Sequence, residues 1–261
     1  SRGAVGVCCQ KVSEAEALID DGISNILITN QVVGMRKLDL FVQLSKRARV
    51  SICVDNAENI VDLNECAVRE DEQVDVLVEV NVGGDRCGVL PGEPTLELVT
   101  QIQDASHLNF LGLHAYQGRL QHIRPFKERE KAIEGVTGLL RETLKLLNEH
   151  GVTCEHVTGA GTGTWQFEGA SDVFTELQAG SYAFMDADYA RNEDADGDVG
   201  GEFEHSLFLY STVMSVPNKE FVVVDAGLKS LAFDAGMPLV ADDLDVKYHR
   251  PSDEHGVLDL S

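Results

Sequence analysis

Basic residues are scarce in this chain: 21 Lys and Arg stand against 44 Asp and Glu, a net charge of −23. A nucleic acid or an anionic membrane needs a basic surface, so neither is expected as a partner. The acidic surplus runs along the whole chain and is densest from Asn192 to Glu204. Its simplest reading is a solvated surface; adaptation to a salty environment is a second one. No apolar run is long enough to span a bilayer. No CxxC pair occurs among Cys8, Cys9, Cys53, Cys66, Cys87 and Cys154. A zinc site or a disulfide frame is therefore not expected; reduced thiols in a cytoplasmic protein are. Cys8, Cys9 and Cys53 lie in apolar runs that read as buried strands. No long Gly, Ser or Pro linker divides the 261 residues, so one large domain, or one plus part of a second, is expected. No signal peptide is visible behind Ser1, and the true start is expected to lie before it.

What is present is alternation. Short β-branched runs at Val5–Cys9, Asn25–Thr29, Val50–Asp55, Val74–Val80, Phe110–His114, His156–Thr158 and Tyr182–Met185 read as strands. Between them lie stretches with apolar residues at helical spacing. The longest runs from Phe126 to Glu149, with Ile133, Val136, Leu140, Leu144 and Leu147 on one face. Ser13 to Glu16 predicts a capping box, and Gly22 a helix stop. Repeated strand–helix units imply a parallel sheet covered by helices. Two closures compete, an open doubly wound sheet and a (β/α)8 barrel. Unusual polar and glycine-rich residues follow many of the strands, which favours the barrel. After about Gly201 the pattern turns to pure strand at Ser206–Ser215 and Phe221–Asp225. Residues 1–200 are thus expected to form the barrel and 201–261 part of a β domain.

Thr158 to Thr164 is the sharpest local signal. Its glycines let backbone amides approach an anion, and Thr162 and Thr164 add hydroxyl donors. No Lys follows, so it is not a P-loop, nor is it the dinucleotide fingerprint. A plain glycine-rich turn is the bland alternative. Gly180, Ser181 and Tyr182 offer a second anion loop after a late strand, as in the common barrel phosphate site. Arg86, in the glycine loop Gly83–Gly88, suits a phenolate or carboxylate; the bland alternative is a surface Arg in a turn. His114 could pack against an aromatic cofactor with Tyr116 beside it, or could be a hydrogen-bonded core histidine. The spacings of His114, His122 and His255 match no metal motif.

In order and spacing, Val82 to Gly88, Gly112 to Gly118, Thr158 to Trp165, Glu176 to Tyr189, Val224 to Ser230 and Ser252 to Gly256 resemble the fold-type III pyridoxal-phosphate enzymes. The similarity is greatest to the D-threonine aldolase, D-serine dehydratase and 3-hydroxy-D-aspartate aldolase group. This resemblance implies an alanine-racemase-type barrel, pyridoxal 5'-phosphate as cofactor, a D-amino acid as substrate and a homodimer. It places Arg86 by the cofactor's phenolic oxygen, His114 against its ring and Tyr116 toward the substrate. Thr162, Gly163, Thr164, Gly180, Ser181 and Tyr182 would hold the phosphate.

The family's Schiff-base lysine sits on a first barrel strand. Lys11 starts a helix and Lys229 falls in the β domain, so neither matches it. The resemblance thus implies a barrel lacking its first strand, and 261 residues unable to form the covalent link alone. It also implies a divalent metal (Mn, Mg or Zn) whose ligands lie beyond Ser261. A lyase acting on β-hydroxy-D-amino acids is the expected activity, by retro-aldol cleavage or dehydration. An amino-acid racemase of the same fold and a non-catalytic pyridoxal-phosphate-binding fragment are the alternatives.

Overall fold

The structure is a computed structural model and describes residues 3–200, 202–241 and 245–260. Ser1, Gly201 (the expected boundary of the β domain) and Ser261 lie outside the described residues. The chain divides into two compact units, one of residues 1–121 and 128–179, the other of residues 122–127 and 180–261.

In the first unit, strands and helices alternate without exception up to β6. They are β1 (Val7–Cys9), α1 (Val12–Asp20), β2 (Asn25–Gln31), α2 (Met35–Ser45), β3 (Arg49–Val54), α3 (Ala57–Glu70), β4 (Val74–Glu79), α4 (Glu93–Asp104), β5 (Leu108–Ala115), α5 (Phe126–Glu149), β6 (His156–Gly159), α6 (Trp165–Ala170) and β7 (Glu176–Leu177). The seven strands form one sheet in chain order, and every adjacent pair is parallel. A doubly wound sheet reverses its strand order at a switch point; this one never does. It is the wall of a (β/α) barrel, as the spread of polar loops suggested.

The strand period of two explains how one sheet serves two environments. On β2, β3 and β4, Ile26, Ile28, Ile52, Val54, Val76 and Val78 join the large core that includes Leu38 and Phe41 of α2, Leu63 of α3 and Val99 of α4. The alternate residues Leu27, Cys53 and Leu77 make a separate small cluster on the other face. Continued toward the strand C-termini, that inner face presents Gln31, Glu79 and His114. The residues that could do chemistry thus share a face because their strands share a register.

Four local expectations are corrected. The first helix begins at Val12, not at a Ser13 cap: Glu14 occupies its third position, and its carboxylate accepts from the amides of Gln10 (2.8 Å) and Lys11 (2.9 Å). Tyr182–Met185 is no strand. Residues Ser181–Ala183 form a 3-10 turn, with the Met185 amide bonded back to the Ser181 carbonyl, and β7 lies earlier. Only Val213–Ser215 of the run Ser206–Ser215 joins a ladder. At Asp225 the side chain takes the Thr212 amide and the Ser211 hydroxyl, which ends the pairing there. Cys8 is exposed rather than buried, because β1 is an outer strand of the described sheet, bonded to β2 alone.

The second unit holds β8 (Val213–Ser215), β9 (Phe221–Val224), β10 (Lys247–Pro251) and β11 (Gly256–Asp259), an antiparallel sheet in the order β10-β11-β9-β8. Val222, Val224, Ala226 and Tyr248 are buried in it, and the Tyr248 hydroxyl donates to the Ala226 carbonyl at 2.5 Å. Asp188 ties residues 122–127 into this unit. Its carboxylate bonds His122 Nδ1 at 2.5 Å and the Arg124 guanidinium. Burial alone would raise this carboxyl, but Arg124 and His122 outweigh burial and hold it below the ordinary carboxylate range. All six cysteines are free. No described helix is long and apolar enough to cross a membrane.

Candidate active site

β4 ends at Glu79, and the chain then turns through Asn81–Gly88 before it returns to the strand end, where the Val89 amide donates to the Glu79 carbonyl at 3.0 Å. Asn81 organises the turn: its Oδ1 accepts the amides of Gly83 (3.0 Å) and Asp85 (3.1 Å). Gly88 closes it at φ +97°, its amide donating to Asp55 Oδ2 at 2.8 Å; a Cβ there would sit 2.6 Å from the Asn81 nitrogen. Only glycine satisfies both demands. The loop so held carries Arg86, whose guanidinium lies 5.2 Å from the Tyr116 ring centroid and 4.0 Å from Glu79 Oε1. Glu79, Asn81, Arg86, Tyr116 and Arg119 line one cavity of about 330 Å³. Arg86 and Tyr116, singled out in the sequence from separate loops, are therefore brought together.

His114, the next candidate, is 1% exposed near the end of β5. Its Nδ1 faces Glu79 Oε1 at 3.7 Å, and its Nε2 lies 3.1 Å from Gln178 Oε1. The Gln178 Nε2 donates to Thr158 Oγ1 (2.6 Å), which donates to Glu176 Oε1 (3.0 Å). Glu79 is 3% exposed, and Gln31 donates to its Oε2 at 2.5 Å. Burial would push the Glu79 carboxyl up, but His114, Gln31 and Arg86 together hold it below its usual value. A buried anion at the foot of the cavity is the result. Sequence reasoning missed Glu79, Gln31 and Gln178. The available signal was the strand period, which puts Glu79 two residues past Leu77 on the inner face.

Cys53 Sγ, a Glu79 oxygen and a His114 nitrogen lie within 4.8 Å of one another, a set of metal-ligand types. With no metal bound, the Cys53 thiol is fully buried and, by burial first and the Glu79 and Asp55 charges next, is held well above its ordinary pKa. Gln31 already occupies one Glu79 oxygen, and Gln178 one His114 nitrogen.

The glycine loop Thr158–Thr164 follows β6 in the same unit and is held by a side chain that sequence reasoning also missed. Gln121, fully buried, accepts the Gly163 amide at 3.0 Å and donates to Thr164 Oγ1 at 2.8 Å. Thr164 Oγ1 in turn donates to Glu168 Oε1 at 2.7 Å. A Cβ on Gly161 would lie 2.4 Å from Gln121 Oε1, so a larger residue would displace the Gln121 amide from its bonds to Gly163 and Thr164. Thr162 and Thr164 are 9% and 1% exposed. Glu168 is 3% exposed and its Oε2 has no hydrogen-bond partner; burial pushes the carboxyl up to about 7, against the Thr164 bond that lowers it. Gly180, Ser181 and Tyr182 lie in the second unit, where they are exposed around the 3-10 turn.

Residues 1–188 match the family model "Alanine racemase, N-terminal domain", and residues 206–261 match "Putative serine dehydratase domain". The chain is 46% identical to a D-threonine aldolase of Arthrobacter sp. over 98% of its own length and 67% of the relative's. It is 44% identical to a 3-hydroxy-D-aspartate aldolase of Paracoccus denitrificans (strain Pd 1222), over the same shares. The crystal structure of D-threonine aldolase from Filomicrobium marinum superposes with a TM-score of 0.94 at 49% identity, covering 98% of this chain and 68% of that one. The chain thus spans about two thirds of the length of these relatives. It belongs to the alanine racemase N-terminal domain family.

Proposed function

We propose that this chain carries the cofactor barrel of a pyridoxal-phosphate-dependent lyase that cleaves β-hydroxy-D-amino acids. The observation that carries the reading is that aldolases of such substrates share 44–49% of its residues over 98% of its length. The site supports it chemically. Arg86 and Glu79 line the cavity, the buried His114 ring lies 3.7 Å from Glu79, and in the same unit a glycine loop packs closely against Gln121.

In this reading Arg86 faces the cofactor's phenolic oxygen, where a guanidinium that never loses its charge favours the phenolate. His114 lies against the ring, and Tyr116 stands toward the substrate. Gly163 contributes backbone and Thr162 and Thr164 hydroxyls to the phosphate. Gly180, Ser181 and Tyr182 stay phosphate candidates on sequence grounds. Pyridoxal phosphate, when bound, draws electrons from a bound amino acid so that a bond at its α carbon can break. The protein's own part is to hold the cofactor, exclude water from its inner edge and keep cations and donors at fixed places.

A divalent metal (Mn, Mg or Zn), a homodimer and a cytoplasmic location belong to the same proposal. The test is turnover of D-threonine, D-serine and 3-hydroxy-D-aspartate by the full-length protein that contains this chain, with and without a chelator. Release of glycine and an aldehyde, lost on chelation, is the expected result. Interconversion of enantiomers that survives the chelator would put the racemase in its place, and no turnover at all would remove the lyase. Light scattering is expected to give a dimer mass; a monomer would remove that part.

A further inference from the structure

We propose that Gln117 and Gln121 are positioning residues: through the turn that joins them they hold the Arg86 loop and the glycine loop Thr158–Thr164 at one fixed spacing. The proposal deepens the cofactor site and rests on that reading for its bearing on pyridoxal phosphate.

Arg86 lies in the loop after β4, and the glycine loop follows β6. The loop after β5 lies between them, because β5 pairs with both strands. It runs Tyr116-Gln117-Gly118 and then makes the 3-10 turn Arg119–His122. The Gln121 backbone amide donates to the Gly118 carbonyl at 3.2 Å within this turn. Gln117 and Gln121 are 6% and 0% exposed. An amide side chain so far from water needs protein partners for its oxygen and its nitrogen. Both glutamines find them, and in different loops.

Gln117 reaches toward the end of β4. Its Nε2 donates to the Val82 carbonyl at 3.4 Å, and its Oε1 accepts the Arg119 amide at 3.0 Å. The same side chain packs on the glycines of the Arg86 loop: a Cβ on Gly83 or Gly84 would come 3.4 Å from it. Arg119 also pairs with Asp85 of that loop at 3.4 Å, but both side chains are exposed and the pair contributes little.

Gln121 reaches the other way, to Gly163 (3.0 Å) and Thr164 Oγ1 (2.8 Å). Its Nε2 also donates to the Gln117 carbonyl at 3.2 Å. That bond is the link between the loops. The orientation of the Gln121 amide is settled by its backbone partners: the Gly163 N–H can only donate and the Gln117 carbonyl can only accept. The path from Val82 to Gly163 is thus three hydrogen bonds through two buried side chains. A rigid ligand that meets Arg86 at one edge and the glycine loop at another binds better when the loops hold their spacing before it arrives.

The experiment is hydrogen exchange in the full-length protein that contains this chain, without ligand. Mass spectrometry follows residues 81–88, residues 158–165 and, as a control, α3. Methionine keeps the length of glutamine and makes none of these bonds. Gln121→Met is expected to speed exchange about tenfold over residues 158–165, the scale of one lost hydrogen bond. It is also expected to speed exchange about threefold or more over residues 81–88, reached through Gln117. Gln117→Met is expected to do the reverse, and α3 to stay unchanged in both. Equilibrium dialysis is expected to show pyridoxal phosphate binding about tenfold weaker in each variant. Should Gln121→Met fail to fold, Gln117→Met carries the test. Acceleration confined to the loop that the substituted residue touches overturns the proposal. So does no acceleration, or acceleration shared equally with α3. Cross-loop acceleration with unchanged pyridoxal phosphate affinity would overturn the role in cofactor binding. A parent protein with the expected exchange but no affinity for pyridoxal phosphate would overturn the cofactor site and leave the link between the loops standing.

Discussion

Glu168 offers a quantitative handle on the glycine loop. Its carboxyl is buried behind Thr164, with one oxygen bonded and the other without a partner, and is pushed up to about 7 from the ordinary 4.5. A carboxyl whose pKa is higher in the folded state binds its proton more tightly there. Stability from this group is therefore greatest below pH 4.5 and falls as pH rises toward 7, after which the penalty is constant. The shift corresponds to about 3 kcal/mol, at about 1.4 kcal/mol per pKa unit.

Glu168→Gln keeps the acceptor for Thr164 and removes the titration. Its amide hydrogens then meet the space where Oε2 had no partner, a cost of about 1–3 kcal/mol that does not change with pH. The informative quantity is thus a difference: the stability of Glu168→Gln relative to the parent at pH 8.5, minus the same at pH 5. Urea unfolding at the two pH values measures it. All other titrating groups are shared by the two proteins and cancel. We expect the variant to gain about 2–3 kcal/mol relative to the parent between the two pH values. Equal displacements at both would refute the assignment of a neutral, desolvated Glu168. A loss at high pH would mean that the ionised form is the stabilised one. The same variant separates stability from binding. An ionised Glu168 repels an anion held by Thr164, so affinity for pyridoxal phosphate, followed by Trp165 fluorescence, should weaken above pH 7 in the parent and weaken less in Glu168→Gln.

A second perturbation addresses the loop backbone. Gly161→Ala places a Cβ 2.4 Å from Gln121 Oε1. We expect it to lower stability by about 1–3 kcal/mol, the usual cost of overpacking, and to weaken pyridoxal phosphate binding because Gln121 also holds the Gly163 amide. Unchanged unfolding and unchanged cofactor affinity would show that the loop does not need this packing.

Much of the architecture was legible locally. The β-branched runs Val50–Val54 and Val74–Val78 and the helical spacing of Ile133, Val136 and Leu140 identify elements whose apolar faces need burial, and their alternation dictates a parallel sheet. Arg86, His114 and Tyr116 stood out as candidates because they sit in polar or glycine-rich segments after strands, and the structure brings Arg86 and Tyr116 to one cavity. The failures were also local in origin. Ser13 looks like a cap, yet Glu14 reaches the amides of Gln10 and Lys11 first. Tyr182–Met185 has strand-like composition, yet its amides bond back to Ser181.

What tertiary structure alone decided is which distant polar groups meet. Glu79 at the end of an apolar strand reads as a surface carboxylate until parallel pairing sets His114 opposite it in register, 35 residues away. Gln121 lies 42 residues from Gly163 and acquires a purpose only where it fills the space beneath the glycine loop. Sequence patterns act through the few residues around each position, so they determine elements and their buried faces. Register between strands and packing against a loop are global outcomes, and in this protein they turned a glutamate and a glutamine with no motif of their own into the supports of the candidate site.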